Sequence, residues 1–155
     1  MSDPERAPCQ LYLISPLEVG GTFPDRLARA LDAAEVAAFQ FRVKELDEHQ
    51  AARLAEPLQA ICAQRDVAFI VNDSISLAKR LGADGVHLGQ DDGTVAEARD
   101  KLGKDAQIGV TCHDSRHLAM EAGEAGADYV AFGAFFSTPT KAVKHHATTD
   151  LPGRW

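Results

Sequence analysis

No apolar run in this sequence reaches the roughly 20 residues that a bilayer-crossing helix needs, so no membrane span is expected. Cysteine is scarce. Cys9, Cys62 and Cys112 are odd in number and widely, irregularly spaced, which excludes a disulfide framework and a zinc pattern and reads as reduced thiols. Positive charge is in deficit: 16 Lys and Arg stand against 23 Asp and Glu, for a net charge of −7. Such a chain repels a nucleic-acid backbone, so no nucleic-acid partner is expected. The opening "MSDPERAPCQ" lacks the basic-then-apolar order of a signal peptide, and a cytoplasmic protein is expected. Neither a Gly-x-Gly-x-x-Gly fingerprint nor a P-loop occurs. No low-complexity tract or linker stands out, so residues 1–155 are read as one domain, long enough for a real core.

What is present is a repeated switch between strand-like and helix-like periodicity. Strands are predicted at 11–15, 36–42, 67–72, 85–89, 107–112 and 129–136. Helices are predicted at 23–34, 46–65, 74–82, 94–103 and 115–126. Pro57 should kink or interrupt the second helix. Alternation of this kind implies βαβ units and a parallel sheet. "GADGVHLG" (82–89) and "GADYVAFG" (126–133) share one pattern of helix end, turn, strand and glycine. That repeat suits a (β/α)8 barrel of the TIM type, of which the chain carries about six βα units. A full barrel takes at least about 200 residues. An open doubly wound sheet is the alternative.

In parallel α/β folds, ligands bind at the carboxyl ends of the strands. The second strand exit offers Gln40, Arg42 and, just beyond, Lys44, which alternate and so share one face of a strand. Unpaired cations on an inner face are costly, and an anionic ligand would compensate them; a solvated strand edge is the other reading. The third exit offers Asn72 and Asp73, the fourth Gln90, Asp91 and Asp92, the fifth Thr111, Cys112 and His113. Asp73 or Asp91–Asp92 taken singly reads as a helix N-cap. Taken together, beside cations, Asp73 and Asp92 favour Mg²⁺ held by carboxylates and substrate phosphates. The sixth strand leads into "STPTK", with Ser137, Thr138, Thr140 and Lys141 suited to phosphate oxygens or simply to a surface loop. His87 reads as a core histidine or a substrate wall. Cys112 beside His113 is a weak nucleophile pair, and His145–His146 a weak metal signal.

"QFRVK", "FIVNDSISLAKRLGADGVHLGQDD", "IGVTCH" and "GADYVAFGAFFSTPTK", in this order, resemble the strands of the thiamine phosphate synthase family. The resemblance runs from about residue 11 to about 146. It implies that Gln40, Arg42, Lys44 and Asn72 contact a hydroxymethylpyrimidine diphosphate, and that Asp73 and Asp92 hold Mg²⁺ on its pyrophosphate. Thr111 stands where the family usually has Ser and keeps the hydroxyl for the same substrate. Lys141 would also bind the pyrophosphate, and Thr138 and Thr140 would approach the thiazole phosphate. The implied reaction is Mg²⁺-dependent transfer of the pyrimidine group to thiazole phosphate, giving thiamine phosphate and pyrophosphate. The family continues through a seventh and an eighth strand, which this sequence does not supply. Six strands leave two open edges, which invite homo-oligomers. A non-transferase paralogue (a regulator or thiazole tautomerase) and an inactive fragment are the competing readings.

Overall fold

The computed structural model describes residues 7–139 and 142–153. Six strands alternate with helices, and every strand pairing described is parallel. That is the α/β pattern of the TIM-barrel type. The chain divides into two compact units between Phe69 and Ile70.

The first unit contains β1 (Leu11–Ile14), α1 (Phe23–Ala33), β2 (Val36–Phe41), α2 (Glu48–Ala63) and the start of β3 (Ala68–Asn72). Pro24 sits in the first turn of α1, where a missing N–H costs nothing. Leu27 and Leu31, one turn apart, bury the inner face of that helix. α2 starts at a reciprocal capping box: the Asp47 carboxylate accepts the Gln50 N–H, and the Gln50 side chain accepts the Asp47 N–H. The helix runs unbroken through Pro57, contrary to the interruption expected. Ala51, Ala52, Ala55, Leu58 and Cys62 are buried along it, before and after the proline, and this packing outweighs one lost backbone bond. β1 pairs with β2, Ile14 standing opposite Gln40. Phe69 packs against Phe39 and Phe41, with ring centroids 5.9 and 5.8 Å apart.

The second unit contains the rest of β3, α3 (Ile75–Leu81), β4 (Gly85–Leu88), α4 (Val95–Leu102), β5 (Gln107–His113), α5 (Arg116–Glu124), β6 (Tyr129–Phe132) and a short α6 (Asp150–Gly153). Its strands lie in chain order, β3-β4-β5-β6. A doubly wound sheet would reverse order at a switch point; within this unit none occurs. Both Gly-Ala-Asp repeats are realised as the same turn. Ala83 N–H returns to Ala78 C=O and Ala127 N–H to Ala122 C=O, while Gln107 N–H reaches Asp84 C=O and Asp128 N–H reaches Ile108 C=O. Gly82 closes α3 at φ 58°, a left-handed conformation that favours glycine. Beneath the second repeat, the Arg99 guanidinium spans the Ala106 and Gly126 carbonyls and the Asp128 carboxylate, which also accepts the Ile108 N–H.

β6 ends at Phe132, four residues short of the span predicted, and Phe136 is 82% exposed. Among the described residues, no helix is long and apolar enough to cross a membrane.

Candidate functional site

In the first unit, β2 stops at Phe41, so Arg42 and Lys44 stand on the loop beyond it rather than on a continuing strand face. Gln40 is 4% exposed, and its side-chain amide donates to the Tyr12 hydroxyl at 3.0 Å. The backbone of Arg42 is gripped by a residue the sequence reading passed over. Buried Ser15 accepts the Arg42 N–H at 2.9 Å, and its hydroxyl lies 3.2 Å from the Arg42 carbonyl and 2.9 Å from the Pro16 carbonyl. With the Ser15 N–H bonded to Gln40 C=O, the exits of β1 and β2 are tied together. Arg42 is half-buried and Lys44 exposed.

In the second unit, four strands share one register row: Asn72 pairs with His87, His87 with Gly109, and Gly109 with Tyr129. Parallel register partners point to one side, so Asn72, His87, Tyr129 and, two residues past Gly109, Thr111 lie on one face. The opposite face carries Val71, Leu88, Ile108 and Val110, all buried, with α3, α4 and α5 against the strands. A cavity of about 240 Å³ on that helix side is walled by Leu88, Val110, Leu118 and Ala122, and none of the candidate polar residues except the β4–α4 loop reaches it.

Asp73 follows β3 with φ 67°, a left-handed conformation that Asp tolerates better than most residues. The turn is held by Asp73 N–H to His87 C=O and Ser74 N–H to Asn72 C=O, both 2.8 Å. The N-cap of α3 is Ser74, whose Oγ accepts the Leu77 N–H at 3.0 Å. The N-cap of α4 is Thr94, in a capping box with Glu97. The N-cap position of each helix is therefore held by a hydroxyl residue and not by Asp73, Asp91 or Asp92. Instead the Asp92 carboxylate folds back on its own turn: Oδ2 accepts the Gly89 N–H at 2.9 Å, and the Asp92 N–H meets Gly89 C=O at 3.3 Å. Gly89 permits this approach, because a Cβ there would sit 2.5 Å from Asp92 Oδ2.

Thr111 lies beside these exits. Its Oγ1 is 2.7 Å from His87 Nε2, and its carbonyl accepts the Gln90 side-chain amide. His87 Nδ1 is 3.1 Å from the Tyr129 hydroxyl. His87 is thus a hydrogen-bonded residue of the polar face, and Tyr129 and Gly109 are members of that row the sequence reading missed. A glycine in register between a histidine and a tyrosine was the available signal.

Cys112 is fully buried, and burial pushes its thiol up from the ordinary value. Its Sγ–H points to Val110 C=O at 3.6 Å. A protonated, inward thiol is not a nucleophile, which sets aside the Cys112–His113 pair. His145 Nδ1 lies 3.5 Å from Asp114 Oδ1, its ring 5.1 Å from that of His113. Among the described residues, no three His, Cys, Asp or Glu side chains gather as a metal-binding group. Thr138 is half-buried; Thr140 and Lys141 lie outside the described residues.

A family model described as thiamine monophosphate synthase matches residues 11–155. A thiamine-phosphate synthase of Erythrobacter litoralis is 76% identical over 136 residues, which cover 86% of this chain and 64% of that protein. A thiamine-phosphate synthase of Rhodospirillum centenum is 53% identical, over 95% of this chain and 72% of that protein. Among solved structures, thiamine phosphate pyrophosphorylase from Pyrococcus furiosus is 27% identical with a TM-score of 0.73, over 84% of this chain and 63% of that one. The chain therefore spans only about 64% to 72% of the length of these two relatives.

Proposed function

The chain belongs to the thiamine monophosphate synthase family, and from that premise we propose that it binds a hydroxymethylpyrimidine diphosphate for transfer of the pyrimidine group to thiazole phosphate, with thiamine phosphate and pyrophosphate as products. The observation that carries this reading is the placing of two half-buried carboxylates, Asp73 and Asp92, just past the carboxyl ends of the neighbouring parallel strands β3 and β4.

The donor set fits Mg²⁺. Two hard oxygen ligands, with water and phosphate oxygens completing an octahedron, are its usual protein complement, whereas Zn²⁺ takes nitrogen and sulfur. Asp73 and Asp92 would hold the ion, and when bound it would neutralise charge on the diphosphate. Arg42 and Lys44, in the first unit, are assigned to the diphosphate by family resemblance, as cations able to give charge-assisted hydrogen bonds to phosphate oxygen. Lys141 is assigned this role by family resemblance alone, as are Thr138 and Thr140 at the thiazole phosphate. Asn72 and Gln40 offer amides, and Thr111 a hydroxyl, to the pyrimidine diphosphate.

The bond between the pyrimidine methylene and the diphosphate oxygen breaks, and its electron pair leaves with pyrophosphate. The methylene becomes a carbocation-like centre, and the thiazole nitrogen supplies the pair for the new C–N bond. No protein nucleophile takes part. Catalysis rests on positioning and on charge neutralisation at the leaving group. Retention of Arg42, Lys44, Asp73 and Asp92 together favours this transferase over a paralogue with no diphosphate to hold.

The test is a single-turnover reaction of the two substrates with Mg²⁺, read as pyrophosphate released. Release that disappears in Asp92→Ala supports the proposal. Release at the parent rate in both Asp73→Ala and Asp92→Ala contradicts it.

A further inference from the structure

We infer that His87 is a positioning residue: with Tyr129 setting its tautomer, it fixes the Thr111 hydroxyl as a hydrogen-bond donor toward bound substrate. The inference rests on the reading of Thr111 as a substrate-facing residue, and goes beyond it by assigning the direction of the hydrogen bond and the two residues that impose it.

The geometry is a chain of three groups across three strands. The Tyr129 hydroxyl on β6 is 3.1 Å from His87 Nδ1, and His87 Nε2 on β4 is 2.7 Å from Thr111 Oγ1 on β5. Tyr129 must pass over β5 to reach His87. It can do so only because residue 109 is glycine; a methyl group there would overlap the tyrosine ring. The rings of His87 and Tyr129 lie 5.6 Å apart at 30°, and His87 is 7% exposed, so both nitrogens are aimed by packing and not by solvent.

A neutral imidazole carries one N–H and one acceptor nitrogen, so the hydroxyls beside Nδ1 and Nε2 play opposite roles. The two hydroxyls are not equivalent. A phenol, with a pKa of about 10, is far more acidic than an aliphatic alcohol, and so is the better donor to an imidazole nitrogen. Tyr129 therefore donates to Nδ1. That places the proton on Nε2, which donates to Thr111 Oγ1. The Thr111 hydroxyl, its acceptor side occupied, turns its own proton toward an acceptor beyond the strand. Threonine is apt here, because its branched Cβ restricts χ1 and holds the oxygen against His87. The recognised chemistry is an acceptor atom: a phosphate oxygen of the diphosphate or a ring nitrogen of the pyrimidine.

Long-range ¹⁵N–¹H spectra of the whole chain, recorded near pH 8 where a free histidine is neutral, read the tautomer directly. The expected result for His87 is Nε2–H, becoming a mixture with Nδ1–H in Tyr129→Phe. A parent chain with Nδ1–H, or an unchanged Nε2–H in Tyr129→Phe, overturns the inference. This reading needs no activity, so it fails or stands separately from the proposed reaction. Calorimetry with Mg²⁺ then measures the consequence. Thr111→Val, which keeps the shape and removes the hydroxyl, should weaken the pyrimidine diphosphate about tenfold, the effect of one hydrogen bond. An equal loss for inorganic pyrophosphate assigns the acceptor to phosphate, and a loss confined to the pyrimidine ligand assigns it to the ring. Unchanged affinity for both contradicts the donor role. Matching thermal melts of parent and variants separate positioning from folding.

Discussion

The Asp92 carboxylate accepts the Gly89 N–H at 2.9 Å, and the absence of a side chain on Gly89 is what lets the oxygen come so near. A methyl group at residue 89 displaces that oxygen without altering any charge. Gly89→Ala should therefore weaken Mg²⁺-dependent diphosphate binding by about 10- to 100-fold, the range seen when groups that orient metal ligands are lost. Titration with and without Mg²⁺ checks this. Equal Mg²⁺ dependence in parent and variant would show that the turn does not aim Asp92.

Gly109→Ala should do different damage. Tyr129 loses its path across β5, and the overpacked sheet is destabilised by about 1–3 kcal/mol. Chemical denaturation measures the loss, and His87 should lose the tautomer bias that Tyr129 imposes. A variant as stable as the parent would mean that the tyrosine ring finds another seat at no cost.

Ser15→Ala removes the hydroxyl that accepts the Arg42 N–H inside the first unit. Leaving that part-buried donor without its partner costs up to about 1–3 kcal/mol. The loss of denaturation free energy should be accompanied by weaker diphosphate binding, because the backbone that presents Arg42 is loosened. Undiminished affinity would detach Ser15 from the site.

Away from the site, burial raises the Asp128 carboxyl, but the Ile108 N–H and the Arg99 guanidinium more than reverse this and leave it below its ordinary value. A folded-state pKa below the unfolded one gives stability that is present above the unfolded value, about 3.9, and is lost as pH falls through the folded value. Asp128→Asn should therefore lower the melting temperature at pH 7, and the gap to the parent should close below about pH 4. A gap that stays constant down to pH 2 would mean that the carboxylate's charge contributes nothing.

Much of this was legible in the sequence because each βα unit announces itself locally. The alternation of periods located the six strands among the described residues, and "GADGVHLG" and "GADYVAFG" marked two turns with the same hydrogen bonds. Boundaries were less legible where tertiary packing decides. α2 passes through Pro57 because buried alanines and Leu58 hold it, and β6 stops at Phe132 despite an apolar run to Phe136. The cap reading of Asp73 and Asp91–Asp92 failed for a simple reason: a better-placed hydroxyl, Ser74 or Thr94, stands nearer each helix. The alternation of Gln40, Arg42 and Lys44 reads as one strand face, but β2 ends at Phe41 and the last two stand on the loop. Ser15, Gly109 and Tyr129 were invisible because their importance lies in register across strands, and one chain read linearly carries no register between residues 87, 109 and 129.

Calorimetric titration of the chain with hydroxymethylpyrimidine diphosphate, run with Mg²⁺ and again with a chelator, tests the central claim most directly. The account predicts saturable binding that requires the ion and is lost in Asp92→Asn, while the thermal melt of that variant stays close to the parent's. Binding of equal strength with and without Mg²⁺, or equal strength in parent and Asp92→Asn, would contradict it.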